Sequence, residues 1–251
     1  MFKSLLVIWK DTKSNLYYHV GTLNYDGEKY IFVYTIQSNS HRKVKEALQN
    51  GYRPHPAFPD LHKKYVSNKL FLAFDRRIPS HDRVDYDKVL KSLGLSKDAD
   101  RMDILRETRG MISGDPYSFE EPLRLFHDNH FETNFYINGM RHQNLEENWS
   151  TMVKPGDTLI AVPEKNNNVD PYAVRIETVS GKCLGYIPGI YAQAVSALIN
   201  NKMQLQLTVI NTQPEKAPQW WVRVSLKGHL NLQTLTNNNR QELEDLIQKV
   251  A

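Results

Sequence analysis

The residues that invite chemistry in this chain are few and incomplete. His127 and His130 stand three apart, a spacing that can set two imidazoles on one side of a helical turn and so offer half of a zinc site. No clear third ligand accompanies them, and solvated histidines are the expected reading. Glu177 and Lys182 have the residue types of a nuclease fragment, but no paired Asp at a usable spacing joins them. There is no Walker A loop, no His-Arg-Asp with its following Asn and no Asp-Phe-Gly; His41-Arg42-Lys43 lacks the required Asp. Nucleotide, metal and nucleophile chemistry each lack their full set. The sequence therefore predicts a chain that is not an enzyme and takes no cofactor and no metal.

Binding chemistry has more to work with. Arg76, Arg77, Arg83, Arg101, Arg106 and Arg109 give the first half a basic character, either a phosphate-contacting face or a solvated helix surface. Trp220 and Trp221 are adjacent; in an alternating strand they point to opposite faces, one toward the core and one outward. Asp170, just before Pro171, has the type and place to order a turn by accepting backbone N–H bonds. Net charge is +4, and it is unevenly spread. Residues 1–125 hold 21 Lys+Arg and 16 Asp+Glu, whereas residues 126–251 hold 11 and 12. A nucleic-acid site in the second half must then work through a local pocket and stacking, or share its ligand with the first half.

The elements that must position these groups fall into two sets. Hydrophobic content of 40% and charged content of 24% permit a packed core over 251 residues, enough for two domains. The lone Cys183 excludes an internal disulfide, and a reducing cytoplasm is expected. The first apolar run, residues 5–9, is too short for a signal-peptide core or a membrane span and predicts a buried strand. Strands are also expected over 17–23 and 30–35, with Asp26-Gly27 between them as a hairpin signal. Helices are expected over 41–49, 84–93 and 97–108, with a proline-rich loop over 51–60 and a turn-rich acidic stretch over 113–122. A boundary is placed near 125. Beyond it, six short strand candidates (135–137, 158–162, 173–176, 184–187, 203–210 and 220–226) and one apolar helix (190–199) suggest a small barrel or sandwich. The tail, 239–250, has Leu243, Leu246, Ile247 and Val250 at helical spacing, with Asn239 as a cap.

The second half also carries an ordered series of short motifs. Ile137-Asn138-Gly139-Met140-Arg141 is followed by Pro155-Gly156-Asp157 before a strand. An Asn-rich loop, 164–169, then closes in Asp170-Pro171-Tyr172-Ala173, and Leu184-Gly185-Tyr186-Ile187-Pro188 leads into the helix. In order and spacing this series resembles the HIRAN domain over about 100 residues. The resemblance implies a partly open, six-stranded OB-like barrel that grips single-stranded DNA and prefers a free 3′ end. By position, Arg141 matches the family's phosphate-binding Arg and Asp170 its acceptor for the terminal hydroxyl. Asn168 and Tyr186 fall within the matching motifs, and Trp220 or Trp221 falls near a later stacking position. Where family members that bind DNA ends well have aromatics, this chain has His142 and Val169. His142 can still stack; Val169 offers no ring.

The first half resembles the small N-terminal subdomain of HipA-type kinases, the toxins of a toxin–antitoxin system. The resemblance lies in a first strand, then Val20-Gly21-Thr22-Leu23, Tyr30-Ile31-Phe32-Val33-Tyr34, and 71–79, Asp85-Tyr86, 93–95 and 110–117 in similar order. It implies a subdomain that docks on another body. The expected architecture is thus an α+β domain at 1–125, a HIRAN-like barrel with one inserted helix at 126–232, and a C-terminal amphipathic helix at 233–251. The expected function is DNA binding in a mobile-element, DNA-defence or repair setting, with a protein partner on the N-terminal domain and no membrane. Two rivals stand beside it: an antitoxin-like subunit that binds a kinase in trans, and an accessory subunit of a larger nucleoprotein complex.

Overall fold

In a computed structural model, which describes residues 2–231 and 235–250, the chain divides into two compact units, Met1–Glu121 and Pro122–Ala251. The first unit is built on an antiparallel sheet in the order β4-β3-β2-β1-β5. Its strands are β1 (Lys3–Lys10), β2 (Tyr17–Tyr25), β3 (Tyr30–Tyr34), β4 (Tyr65–Ser67) and β5 (Tyr117–Glu120). Alternation in β3 turns Tyr30, Phe32 and Tyr34 inward. Phe32 can cross β2 because residue 21 is glycine: a Cβ there would sit 2.5 Å from its ring. The short helices α1 (Val44–Gln49), α2 (Leu72–Asp75), α3 (Tyr86–Ser92) and α4 (Arg101–Thr108) complete the unit.

Two features of this unit depart from the sequence reading, and a third decides between its alternatives. The stretch 113–122 is not only turn: it contains β5, which pairs with β1. A four-residue strand whose partner lies more than a hundred positions away leaves no local signature. The arginines do not form an open basic face. Arg77 pairs with Asp115, Arg83 with Asp85, Arg101 with Asp75, Arg106 with Asp103 and Glu107, and Arg109 with Glu120. Five of the six arginines thus already have an acid, which favours the solvated or structural reading over phosphate contact. Helix α4 starts later than expected because Asp100 caps it: its side chain accepts from the amides of Met102 and Asp103.

The second unit contains, among the described residues, an eight-stranded sheet ordered β10-β9-β8-β11-β12-β7-β6-β13. Its strands are β6 (Leu123–Leu125), β7 (His130–Tyr136), β8 (Thr158–Pro163), β9 (Val174–Thr178), β10 (Cys183–Tyr186), β11 (Leu205–Thr212), β12 (Val222–His229) and β13 (Ile247–Lys249). The sheet curls. Tyr186 in β10 returns to Asn138, two residues beyond β7, and the two backbones exchange hydrogen bonds of 2.9 and 2.8 Å. Helix α5 (Gly189–Asn200) is buried from Ile190 through Leu198, so it belongs to the core and not to the surface.

The count of six strands is therefore corrected to eight, the additions being β6 and β13. The tail is corrected too. Helix α6 spans Asn237–Glu244, is capped by Thr236 and not Asn239, and gives way to β13. The physical reason is an open sheet edge. β13 runs parallel to β6, with hydrogen bonds from the Leu123 amide to the Leu246 carbonyl and from the Val250 amide to the Leu125 carbonyl. Satisfying those backbone groups outweighs continuing the helix. The expected start of the tail at 233 and its last residue, 251, lie outside the described residues. No helix among the described residues is long and apolar enough to cross a membrane.

Candidate nucleic-acid interface

The motif glycines explain how the site is assembled. Gly139 takes a left-handed conformation, φ +74°, just after β7, and starts the 3-10 turn Met140–His142. Gly185 in β10 has φ +149°, and a Cβ there would lie 2.4 Å from the Asn138 carbonyl oxygen. Only glycine lets the two backbones close to this distance. Through this contact the turn that carries Arg141 and His142 is held against Tyr186; a Cβ on Gly139 would lie 3.6 Å from the Tyr186 ring.

Tyr186 in turn reaches the Asn-rich loop. Its hydroxyl donates to Glu164 Oε2 at 3.1 Å, and Asn167 Nδ2 donates to the same oxygen at 2.7 Å. Burial and then the bond to Glu164 raise the Tyr186 phenol above its ordinary value, so it remains a donor at neutral pH. Asn167 Oδ1 accepts from the amides of Val169 and Asp170, each at 2.9 Å. Asp170 Oδ1 accepts from the Tyr172 amide at 2.8 Å, and its carbonyl accepts from the Ala173 amide. The turn-ordering role expected of Asp170 is present. It uses part of the carboxylate's acceptor capacity, since an ionised carboxylate offers about four acceptor sites.

Arg141 is exposed and donates from Nε to His142 Nε2 at 2.9 Å, which makes that imidazole nitrogen an acceptor. His142 is exposed as well. The second 3-10 turn, Pro218–Trp220, adjoins the turn that carries Arg141. Trp220 packs edge-on against Tyr136, centroids 4.9 Å apart, and Arg223 lies over the other ring of that pair, Tyr136, at 5.7 Å. The tryptophans are not strand neighbours: Pro218 opens a turn and β12 begins only at Val222. They still part company. Trp221 packs on Trp149 at 5.1 Å and donates its indole N–H to the Lys216 carbonyl, away from Tyr136.

The arrangement thus joins Arg141, His142, Tyr186 and Trp220 through direct or neighbouring contacts, and ties Asp170 to them through Asn167 and Glu164. Asn168 is exposed beside Asn167, which does the ordering in its place. Trp221 is turned to a different neighbourhood. Glu164, Tyr136 and Arg223 were not singled out by the sequence. Glu164 opens the motif loop and was visible as its one acid before Asp170; the other two depend on strand register. His130 lies in β7 with its ring stacked on Phe126, not on a helix. Among the described residues no cluster of three or more His, Cys, Asp or Glu is placed to hold a metal ion.

Residues 130–232 match the HIRAN domain family. Among solved structures, the crystal structure of the HIRAN domain of human HLTF is similar at 16% identity, covering 48% of this chain and 92% of that one with a TM-score of 0.36. The NMR structure of the same domain gives 17%, 46%, 84% and 0.31. A protein from Lactobacillus plantarum is similar at 19% identity over 38% of this chain and 89% of that one, TM-score 0.34. No curated protein matches the chain. The family match lies wholly in the second unit and leaves the HipA-like reading of the first without support.

Proposed function

We propose, on the premise that residues 130–232 form a HIRAN domain, that this chain is a non-catalytic protein whose second unit binds single-stranded DNA by its 3′ end. One observation carries the reading: the reciprocal Asn138–Tyr186 bridge brings the Arg141 turn, Tyr186 and the loop of Asp170 to one rim of the curled sheet. Arg141 supplies a fork for a phosphate. Asp170 accepts the terminal hydroxyl, a group that an internal nucleotide lacks. Trp220, half-buried, and His142, exposed, supply rings for a base, a contact of about 1–3 kcal/mol.

Fluorescence anisotropy with paired oligonucleotides tests it. The strand with a 3′-hydroxyl should bind at least roughly tenfold more tightly than the same strand with a 3′-phosphate, because the phosphate faces the Asp170 carboxylate. A charge-assisted hydrogen bond of about 1.5–3 kcal/mol sets that scale. Asp170→Ala should remove the preference, and Arg141→Ala should weaken both strands. Equal affinities untouched by Asp170→Ala would leave the barrel as a protein–protein adaptor.

The non-catalytic part has its own expected result. Purified protein should show no ATP hydrolysis, no autophosphorylation and no nuclease activity with magnesium or manganese. Cleavage abolished by one Asp or Glu substitution would refute it. A second reading, an accessory subunit docked through the first unit, is favoured by the exposed apolar side chains Val66, Leu72 and Val84, at 51%, 60% and 108% of full exposure. Stable co-purification of a partner, abolished by deletion of residues 1–121, would support it.

A further inference from the structure

We infer that the outer face of β7 and β12 is a second nucleic-acid tract, continuous with the proposed end pocket and taking the sugar-phosphate backbone of nucleotides farther from the 3′ end. The inference rests on the single-stranded DNA reading and extends it. Register defines the face. In β12, Val222, Val224 and Leu226 are fully buried, so Arg223, Ser225, Lys227 and His229 share the opposite side. Antiparallel pairing sets them beside Tyr136, Asn134, Glu132 and His130 of β7. The face begins at Trp220 and Tyr136, next to the Arg141 turn, and ends at His229 and His130.

Its charge is not that of the rest of the unit. Residues 122–251 hold 12 basic and 12 acidic side chains, yet β6, β7 and β12 together carry Arg124, Arg223 and Lys227 against one acid, Glu132. That acid is held by two cations at once: Arg124 at 2.7 Å and Lys227 at 3.3 Å. The Arg124 and Lys227 side chains remain 39% and 49% exposed, so their charge reaches solvent. Between the basic groups lie hydrogen-bonding side chains, Asn134 and Ser225. At the far end His130 stacks on Phe126 at 4.5 Å and stands 6.0 Å from His229, a ring cluster that a base can meet. An outer sheet face is ordinarily polar with mixed charges. Here three cations stand against one acid along the strands, Asp128 lies only at the far end, 3.4 Å from His130, and the positive strip starts where the end pocket stops. Six residues of strand extend about 20 Å, a length suited to a short tract within the roughly 4–16 nucleotides that an OB-like fold covers.

The test compares a trinucleotide with a twelve-nucleotide strand, both ending in a 3′-hydroxyl, on the full chain by anisotropy over a salt series. The wild type should hold the longer strand roughly tenfold more tightly. Arg124→Gln with Lys227→Gln should remove most of that advantage and lower the salt slope by about 2, roughly one for each phosphate that is no longer neutralised, while the trinucleotide is unaffected. Should that double variant fail to fold, Ser225→Asp, which adds a negative charge mid-face and removes no cation, must give the same selective weakening. Equal wild-type affinity for both lengths, or a variant that weakens both strands alike, overturns the tract. Trinucleotide binding that survives while the long-strand advantage ignores every substitution sinks the tract alone. Failure of the wild type to bind either strand sinks the end-binding reading as well.

Discussion

Gly185→Ala is expected to destabilise the second unit by roughly 3 kcal/mol or more and to abolish 3′-end binding. Two penalties coincide at this residue. The backbone sits at φ +149°, where L side chains are strained, and the added methyl would meet the Asn138 carbonyl oxygen at 2.4 Å and the Ile137 side chain at 2.8 Å. Neither neighbour can retreat cheaply: Ile137 is buried, and Asn138 makes the bridge that closes the sheet on itself. Relief therefore means opening that bridge, which releases the Arg141 turn from Tyr186. Gly139→Ala provides the contrast. Its Cβ would have ordinary room, 3.6 Å to the Tyr186 ring, and the variant carries only the left-handed backbone cost of about 1–2 kcal/mol. Thermal and urea denaturation, with anisotropy on a 3′-hydroxyl strand, measure both. Equal, mild effects from the two substitutions would mean that the close backbone approach does not govern the site.

Glu120→Ala should lower the unfolding midpoint of the first unit by roughly 10–25 °C, from a destabilisation of about 3–5 kcal/mol. Arg109 and Glu120 are 8% and 5% exposed, and Glu120 Oε1 takes two guanidinium hydrogen bonds together with one from Ser118. Truncating the acid takes from Arg109 the carboxylate that holds its guanidinium in the core beside Phe119, whose amide also bonds the Arg109 carbonyl. Replacing both partners, Arg109→Met with Glu120→Leu, should restore most of the stability, since an apolar pair of similar volume avoids the desolvation that the ions incur. The midpoint of the second unit should not move. Calorimetry resolves the two transitions; a double variant as unstable as Glu120→Ala would show that backbone geometry at Arg109, and not the ion pair, sets the stability.

What the sequence made legible follows from how far each signal reaches. Strands that are short apolar runs, such as 30–34 and 158–163, and the apolar helix at 189–200 announce themselves locally. The HIRAN motifs are legible because most are short runs whose residue types answer a local backbone demand, as the left-handed turn at Gly139 and the Tyr172 amide that Asp170 caps; Gly185 answers instead to distant Asn138. β5 and β13 are invisible at that range. β13 sits inside a helical apolar period at Leu243, Leu246 and Ile247, and only the unpaired edge of β6 reveals why the chain extends there. The roles of Glu164, Tyr136 and Arg223 come from register and from loop closure, which no spacing rule encodes. The partners of Arg77 and Arg101 are hidden for a related reason: their acids, Asp115 and Asp75, lie 38 and 26 residues away.

The parallel pairing of β13 with β6 sets Leu123 beside Ile247 and Leu125 beside Lys249, so the first and last strands of the second unit are neighbours, but residue 122 lies at one end of their ladder and 250 at the other, roughly 13 Å apart along the strands. Connecting them takes a linker of several residues, and a circularly permuted version that joins 250 to 122 through such a linker and is cut at the exposed tip Val179-Ser180 keeps every strand of the sheet intact.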